Sequence, residues 1–260
     1  MIAILTDVTR CVGCAQCVEA CTQANGLDTH TPAPQDAPDG LSARRFTSIL
    51  EQPAGHYVRK HCRHCLQPAC VSACPVGAMQ KTPEGPVIYD SSKCLGCRYC
   101  MVACPYGIPR YRWDALAPVV SKCTLCYERL IAGEMPACVE ACPERATIFG
   151  QREDLLAEAH RRLKTQPHRY IQKVYGEQEV GGTSVLYVSD VPLDFLWYHT
   201  DPGPEPMPEL TWAAINKVPA VAIGVTALMA GTYWIIERRR KLMNIQATVQ
   251  PEEPADGDST

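Results

Sequence analysis

Phenylalanine is almost absent from this chain, with three residues in 260. A hydrophobic share of 46% still permits a core in a chain long enough for one large or two small domains. Charge of one sign is lacking too. The formal net charge of −3 gives no hint of nucleic acid or of an acidic partner. No glycine-rich phosphate loop and no nucleophile–base signature is visible, so the chain carries no common mark of a catalyst. A secretory signal peptide is not expected either: MIAILTDVTR is too short and contains Asp7.

What is plentiful is cysteine, 16 residues, beside 22 prolines. That density has three ordinary explanations: disulfides, zinc, or iron–sulfur clusters. Disulfides dominate short secreted chains that lack a core, and a bridge between cysteines three apart strains the backbone. Zinc sites prefer separated C-x2-C pairs, although four all-thiolate sites would also use every thiol. Here the cysteines fall in tight runs that mostly end in Cys-Pro. The stretch CLGCRYCMVACP places Cys94, Cys97, Cys100 and Cys104 in the spacing C-x2-C-x2-C-x3-C-P. This is the bacterial ferredoxin run. Three thiolates on a tight loop hold three irons of one [4Fe–4S] cube. The fourth, carried off by a departing helix that the proline is expected to start, serves a second cube.

The run occurs four times, an internal repeat. Run one is Cys11, Cys14, Cys17 and Cys21, with Thr22 where the others have proline. Run two is Cys62, Cys65, Cys70 and Cys74, with four residues before its third cysteine. Run three is the stretch quoted above. Run four is Cys123, Cys126, Cys138 and Cys142, with eleven residues before its third cysteine. All 16 cysteines are used, which implies four [4Fe–4S] clusters. Spacing alone leaves the pairing open, since run three could exchange ligands with run two or with run four.

With its two irregular runs, KCTLCYERLIAGEMPACVEACP and GGTSVLYVSDVP at 181–192, the chain resembles the four-cluster subunits of respiratory oxidoreductases. It is similar in particular to the beta subunit of membrane-bound formate dehydrogenase and the iron–sulfur subunit of periplasmic nickel–iron hydrogenase. The resemblance covers residues 5 to about 240. It implies that the inner two runs pair and the outer two pair around them. One cluster is then held by Cys62, Cys65, Cys70 and Cys104, and a second by Cys94, Cys97, Cys100 and Cys74. A third uses Cys11, Cys14, Cys17 and Cys142, and the last Cys123, Cys126, Cys138 and Cys21.

A basic residue stands before the first cysteine of three runs, namely Arg10, Lys93 and Lys122, and His61 does so in run two. A cation there favours the reduced, more negative form of a cluster, although a solvated loop side chain is the plainer role. His61 and His64 also flank Cys62, but with four cysteines per site they are not needed as ligands.

The expected architecture is α+β: two nested ferredoxin-like dicluster units within 1–150, the inner one at about 55–110, and one C-terminal transmembrane helix. Residues 22–58 read as a polar, proline-rich surface loop or partner-binding arm. The region 151–200 carries a helix at 153–164, with acids first and bases last, and a strand at 184–189. Residues 201–212 read as an extended linker. Val218 to Ile236 carries no charge and as a helix spans about 28 Å, close to the hydrocarbon thickness of a bilayer. The transmembrane helix is placed at 213–237, and 238–260 is expected to be a basic, then disordered, tail. On it Ala220, Gly224, Ala227 and Gly231 share one side, the small-residue face on which membrane helices pack. ERRRK after the span puts the C-terminus in the cytoplasm and the clusters outside by the positive-inside rule. In the resembling complexes a catalytic partner with a twin-arginine signal carries such a subunit across the membrane.

The function read from this is a non-catalytic subunit, passing electrons between a large catalytic subunit and a membrane quinone- or haem-binding subunit. The same role in another molybdopterin oxidoreductase, or in a cytoplasm-facing subunit, stays open. Readings from other classes are an enzyme that binds substrate at an open cluster, which would lack a fourth cysteine, and a zinc-stabilised scaffold.

Overall fold

A computed structural model of the chain describes residues 1–27, 38–115, 120–196 and 203–248. In chain order the main elements are β1 (Ile2–Asp7), α1 (Gln16–Ala24), β2 (Thr47–Gln52), β3 (His56–His61), α2 (Ala69–Ser72), β4 (Met79–Lys81), β5 (Val87–Tyr89), α3 (Tyr99–Val102) and β6 (Arg110–Tyr111). There follow β7 (Val120–Ser121), α4 (Tyr127–Ile131), α5 (Ala137–Glu140), β8 (Thr147–Gln151), α6 (Arg152–Thr165), β9 (Val185–Val188), α7 (Met207–Ile215) and α8 (Val218–Thr248). The chain divides into two units, Met1–Leu210 and Thr211–Thr260.

The first unit is organised by a three-stranded sheet in the order β8–β1–β9. β1 runs antiparallel to β8, with Ile4 opposite Phe149, and parallel to β9, with Ile4 opposite Val185. Strand side chains alternate between faces, so a central strand can serve two cores. Ile4 packs with Val8, Val58, Leu125, Val139 and Tyr187, on the side of the cysteine runs. Ala3 and Leu5 pack with Leu155, Ala159 and Leu163. Those last three stand four residues apart and form the apolar stripe of α6. Burying each leucine contributes about 2 kcal/mol. The helix begins with Glu153 and Asp154 and ends with Arg162 and Lys164, in line with its dipole. Both the helix read at 153–164 and the strand read at 184–189 stand where the sequence put them.

Two segments differ from the sequence reading. The stretch 22–58 is not all surface loop: β2 and β3 form a hairpin with Thr47 opposite His61, turned through Pro53–Gly55. Its residues Val58, Arg59, Lys60 and His61 are buried. Lys60 is neutralised by Asp39 at 2.8 Å, and Asp39 also meets Arg110 at 2.5 Å. Charges that look solvated in the sequence are paired inside. The middle of the insertion, 28–37, lies outside the described residues. Two further hairpins, β4–β5 and β6–β7, frame the second and third runs.

The C-terminal region differs as well. The expected linker is helical from Met207, because Pro208 in a first helical turn loses no hydrogen bond. A turn at 216–217 precedes α8. α8 continues to Thr248 rather than stopping near 237, since Arg, Lys, Leu and Met all favour helix. Met207–Ile245 is long and apolar enough to cross a membrane, and its most apolar window buries nothing. The tail PEEPADGDST lies outside the described residues.

Candidate metal centres

Four loops carry the cysteines, and they share a backbone device. The second residue after the first cysteine has a positive φ in every run: Gly13 (71°), His64 (48°), Gly96 (71°) and Leu125 (59°). This left-handed residue curls the loop back on its first sulfur. The amides of Gly96 and Leu125 donate to the sulfurs of Cys94 and Cys123 at 3.4 and 3.3 Å. The third cysteine of each run is the second residue of a helix: Cys17 in α1, Cys70 in α2, Cys100 in α3 and Cys138 in α5. Pro75, Pro105 and Pro143 therefore do not start the departing helices. They lie beyond the ends of α2, α3 and α5, where a residue that cannot continue a helix stops it.

The fold brings the sixteen thiols together in four sets. All are free of disulfides. The thiols whose charges act on Cys65 are Cys104, Cys62 and Cys70. Those acting on Cys100 are Cys74, Cys94 and Cys97. One cavity is lined by Cys11, Cys14 and Cys17 together with Cys142. Another is lined by Cys123, Cys126 and Cys138 together with Cys21. In each set three sulfurs come from one run and the fourth from a different run. Neighbouring sets also meet in a row: Cys138 acts on Cys17, Cys62 on Cys123, and Cys100 on Cys70.

Burial raises several of these thiols. It pushes Cys17 and Cys100 up to about 11, and Cys21 and Cys70 up to about 12. At neutral pH these four thiols hold their protons without metal, so loading metal must release them. Cys94 is the exception. Burial raises it, but the Tyr89 hydroxyl and the amides of Val120 and Gly96 more than offset that and leave it lowered.

These donor sets fit iron–sulfur cubes better than single ions. Among the described residues no three Cys, His, Asp or Glu side chains are gathered as one metal ion requires. A cube instead spreads its four thiolates over four irons. A second sign is Arg59, buried in the cavity of the first set, whose Nε and Nη1 make no hydrogen bond. A buried cation with unused donors suits an anionic occupant.

The four basic candidates divide into two kinds. Arg10 and Lys93 are half-exposed and pair with the carboxylates of Asp7 (3.6 Å) and Asp90 (3.2 Å), three residues before each. Lys122 and His61 are buried. The Lys122 ammonium donates to the Cys123 carbonyl at 2.8 Å and to the Val87 carbonyl. His61 is held neutral by burial and by Arg59 and Arg63, so it supplies no cation. Its Nε2 lies 3.0 Å from Arg59 Nη2. His64 accepts the Val87 amide on Nδ1 at 2.9 Å, which occupies that nitrogen. Sequence reasoning missed Arg59. It also missed Lys81, whose ammonium donates to the Cys65 carbonyl at 2.9 Å. The only available signal was position: both lie in strands beside runs they do not belong to. On α8, Ala220, Gly224, Ala227 and Gly231 are all exposed, and a Cβ added at either glycine would meet nothing.

Comparison with known proteins agrees with this geometry. The family model of the 4Fe-4S dicluster domain matches residues 54–152, and that of a 4Fe-4S binding domain matches 9–24. Hydrogenase-2 operon protein HybA of Escherichia coli O157:H7 is 37% identical over 235 residues, covering 75% of this chain and 72% of that protein. The iron-sulfur subunit of nitrate-inducible formate dehydrogenase from Escherichia coli K12 is 36% identical over 247 residues, covering 88% and 82%. The formate dehydrogenase iron-sulfur subunit of Haemophilus influenzae is 34% identical over 251 residues, covering 90% and 80%. The chain belongs to the family of iron–sulfur electron-transfer subunits of hydrogenase and formate dehydrogenase complexes.

Proposed function

We propose that the chain binds four [4Fe–4S] clusters in two nested ferredoxin-like units and acts as a relay without catalysis of its own. The observation that supports this is the lining of two cavities: Cys142 lines the cavity of run one, and Cys21 lines that of run four, as exchanged fourth ligands would. The clusters supply one-electron transfer when bound; the protein holds them apart, in order, and away from water. The electrostatic couplings between sets support one order along the relay. The set of Cys11, Cys14, Cys17 and Cys142 stands at one end. Next comes Cys21, Cys123, Cys126 and Cys138, then Cys62, Cys65, Cys70 and Cys104. The set of Cys74, Cys94, Cys97 and Cys100 stands at the other end.

Electrons pass between a large catalytic subunit of the formate dehydrogenase or hydrogenase kind and an integral membrane subunit that binds quinone or haem. The segment Met207–Ile245 anchors the chain once in the cytoplasmic membrane and packs on that subunit through Ala220, Gly224, Ala227 and Gly231. The basic stretch after Ile236 places the C-terminus in the cytoplasm and the cluster domain outside.

The test is ligand exchange. Fully loaded protein should hold about sixteen irons per chain. Cys142→Ser should alter the same EPR signal as Cys11→Ser, and a different one from Cys138→Ser. If Cys142→Ser instead matches Cys138→Ser, the nested pairing is wrong.

A further inference from the structure

We infer that Arg59 is a shared cation between the two outer clusters and raises the reduction potential of both. The inference rests on the four-cluster reading and adds a residue that the ligand pattern does not contain.

β3 is where the argument starts. Side chains of a strand alternate, so Tyr57, Arg59 and His61 share one face. That face runs along the outer unit. Tyr57 lies against the loop of run one, where a Cβ on Gly13 would come within 2.6 Å of its ring. His61 lines the cavity of Cys21, Cys123, Cys126 and Cys138. Arg59 stands between them and lines the cavity of Cys11, Cys14, Cys17 and Cys142. Its charge acts on thiols of both sets: Cys11 and Cys17 in one, Cys21 and Cys126 in the other. Cys138 and Cys17, one from each set, act on it most strongly in return.

Among the described residues no carboxylate is paired with this guanidinium. Beside the thiols, the group acting on it is the Tyr187 phenol, which burial keeps protonated. His61, its hydrogen-bond neighbour, is held neutral and is no counter-ion. Nε and Nη1 have no partner. The backbone does not release it, because the Arg59 carbonyl accepts the buried Tyr187 hydroxyl at 2.7 Å and the strand pairs with β2. A buried cation without an anion is costly. Here the anions are the thiolate-bound clusters on either side.

The consequence is electrostatic. Each outer site gains one negative charge with its electron, while no bond forms or breaks. A fixed cation at low dielectric favours that more negative form. One cation serves two sites, so its removal should lower two potentials together. Lys81 lies on the inner side, at the Cys65 carbonyl, and Lys122 bridges the Val87 and Cys123 carbonyls and acts on Cys70 of the inner unit, so neither takes the place of Arg59 between the outer sets.

The experiment is a redox titration followed by EPR on the anaerobically purified full chain, with dithionite as reductant and signals assigned by single ligand variants. In Arg59→Met the two outer signals should shift together. At fixed solution potential the ratio of reduced to oxidised form should fall about tenfold, which is about 59 mV for a one-electron couple. The inner two should stay where they are. Arg59→Lys should restore most of the shift. Loaded Arg59→Met with unmoved outer potentials, or with all four moved equally, would overturn the role of Arg59. Should Arg59→Met lose outer iron, Arg59→Lys decides. Loading with near-native potentials supports the charge, and failure to load shows that shape alone matters. Wild type holding only about eight irons would instead overturn the four-cluster reading.

Discussion

Runs one and three build their loops in one way, runs two and four in another, yet all four deliver the third cysteine to the same place on a helix. In the regular runs a glycine takes the left-handed turn, at Gly13 and Gly96. A second left-handed residue, Ala15 or Arg98, caps the helix at once. In the irregular runs buried side chains take the first turn, His64 and Leu125, and the longer insertions end on Pro68 and Pro136 as caps. The basic residues follow the same division, exposed beside Asp7 and Asp90, buried at Lys122. The lesson is that insertion length is free as long as the loop ends by presenting a helix start. The regular runs spend glycine to stay short. The irregular ones fix the turn by burying it in the core.

The largest test of this contrast is Gly13→Val. At φ 71° a side chain is already strained, and its Cβ would fall within 2.6 Å of the Tyr57 ring. The left-handed conformation alone costs about 1–2 kcal/mol for a residue with a Cβ, and the ring overlap adds to it. The expected outcome is loss of about a quarter of the iron, since one of the four proposed cubes can no longer form. Gly96→Val, tested beside it, should lose less. Equal iron in Gly13→Val and wild type would mean that the glycine is dispensable.

A middle-sized effect separates the cations. Lys122→Met leaves the buried Val87 carbonyl and the part-buried Cys123 carbonyl without this donor, at a cost of about 2 kcal/mol. Lys93→Met removes only a half-exposed pair with Asp90 and should leave thermal stability within error. Matching melting temperatures for the two variants would dissolve the distinction between the two kinds of run.

The smallest effect concerns protons. Thiols pushed up to about 11 and 12 at Cys17 and Cys21 stay protonated near neutrality, whereas Cys94 is lowered. Raised thiols stabilise the metal-free fold below their ordinary value of 9.0, and that stability is lost as pH rises through the folded values. Iron needs the thiolate, so reconstitution should quicken between pH 7 and 9. The site containing Cys94 should load ahead of the outer pair, with the gap narrowing as pH rises. A rate of loading that is flat or falling over that range contradicts this order.

The sequence made every thiol legible, because C-x2-C spacing encodes a loop directly. It also made α6 legible through Leu155, Ala159 and Leu163, and β9 through a continuous apolar run. The β2–β3 hairpin stayed hidden for a physical reason. Arg59, Lys60 and His61 are polar letters in a buried strand, and their partners, Asp39 for Lys60 and the outer thiols for Arg59, are distant in sequence. α7 stayed hidden because the prolines of DPGPEPMPEL look like a linker until one is seen to occupy a first helical turn.

The place of β1 in the sheet has a consequence for the birth of the protein. This strand is made before the other described strands, yet both of its neighbours, β8 and β9, come well over a hundred residues later. At about 5–20 residues per second, a ribosome keeps it waiting for about 10–40 s before Val185–Val188 emerges. The thiols of run one wait with it, and in the proposed pairing their fourth ligand, Cys142, also comes late. The inner unit, with all its ligands between Cys62 and Cys104, can close while translation continues. In the proposed pairing cofactor insertion would then proceed from the inner unit outward, and the outer sites would be sealed only after β8 and β9 have emerged.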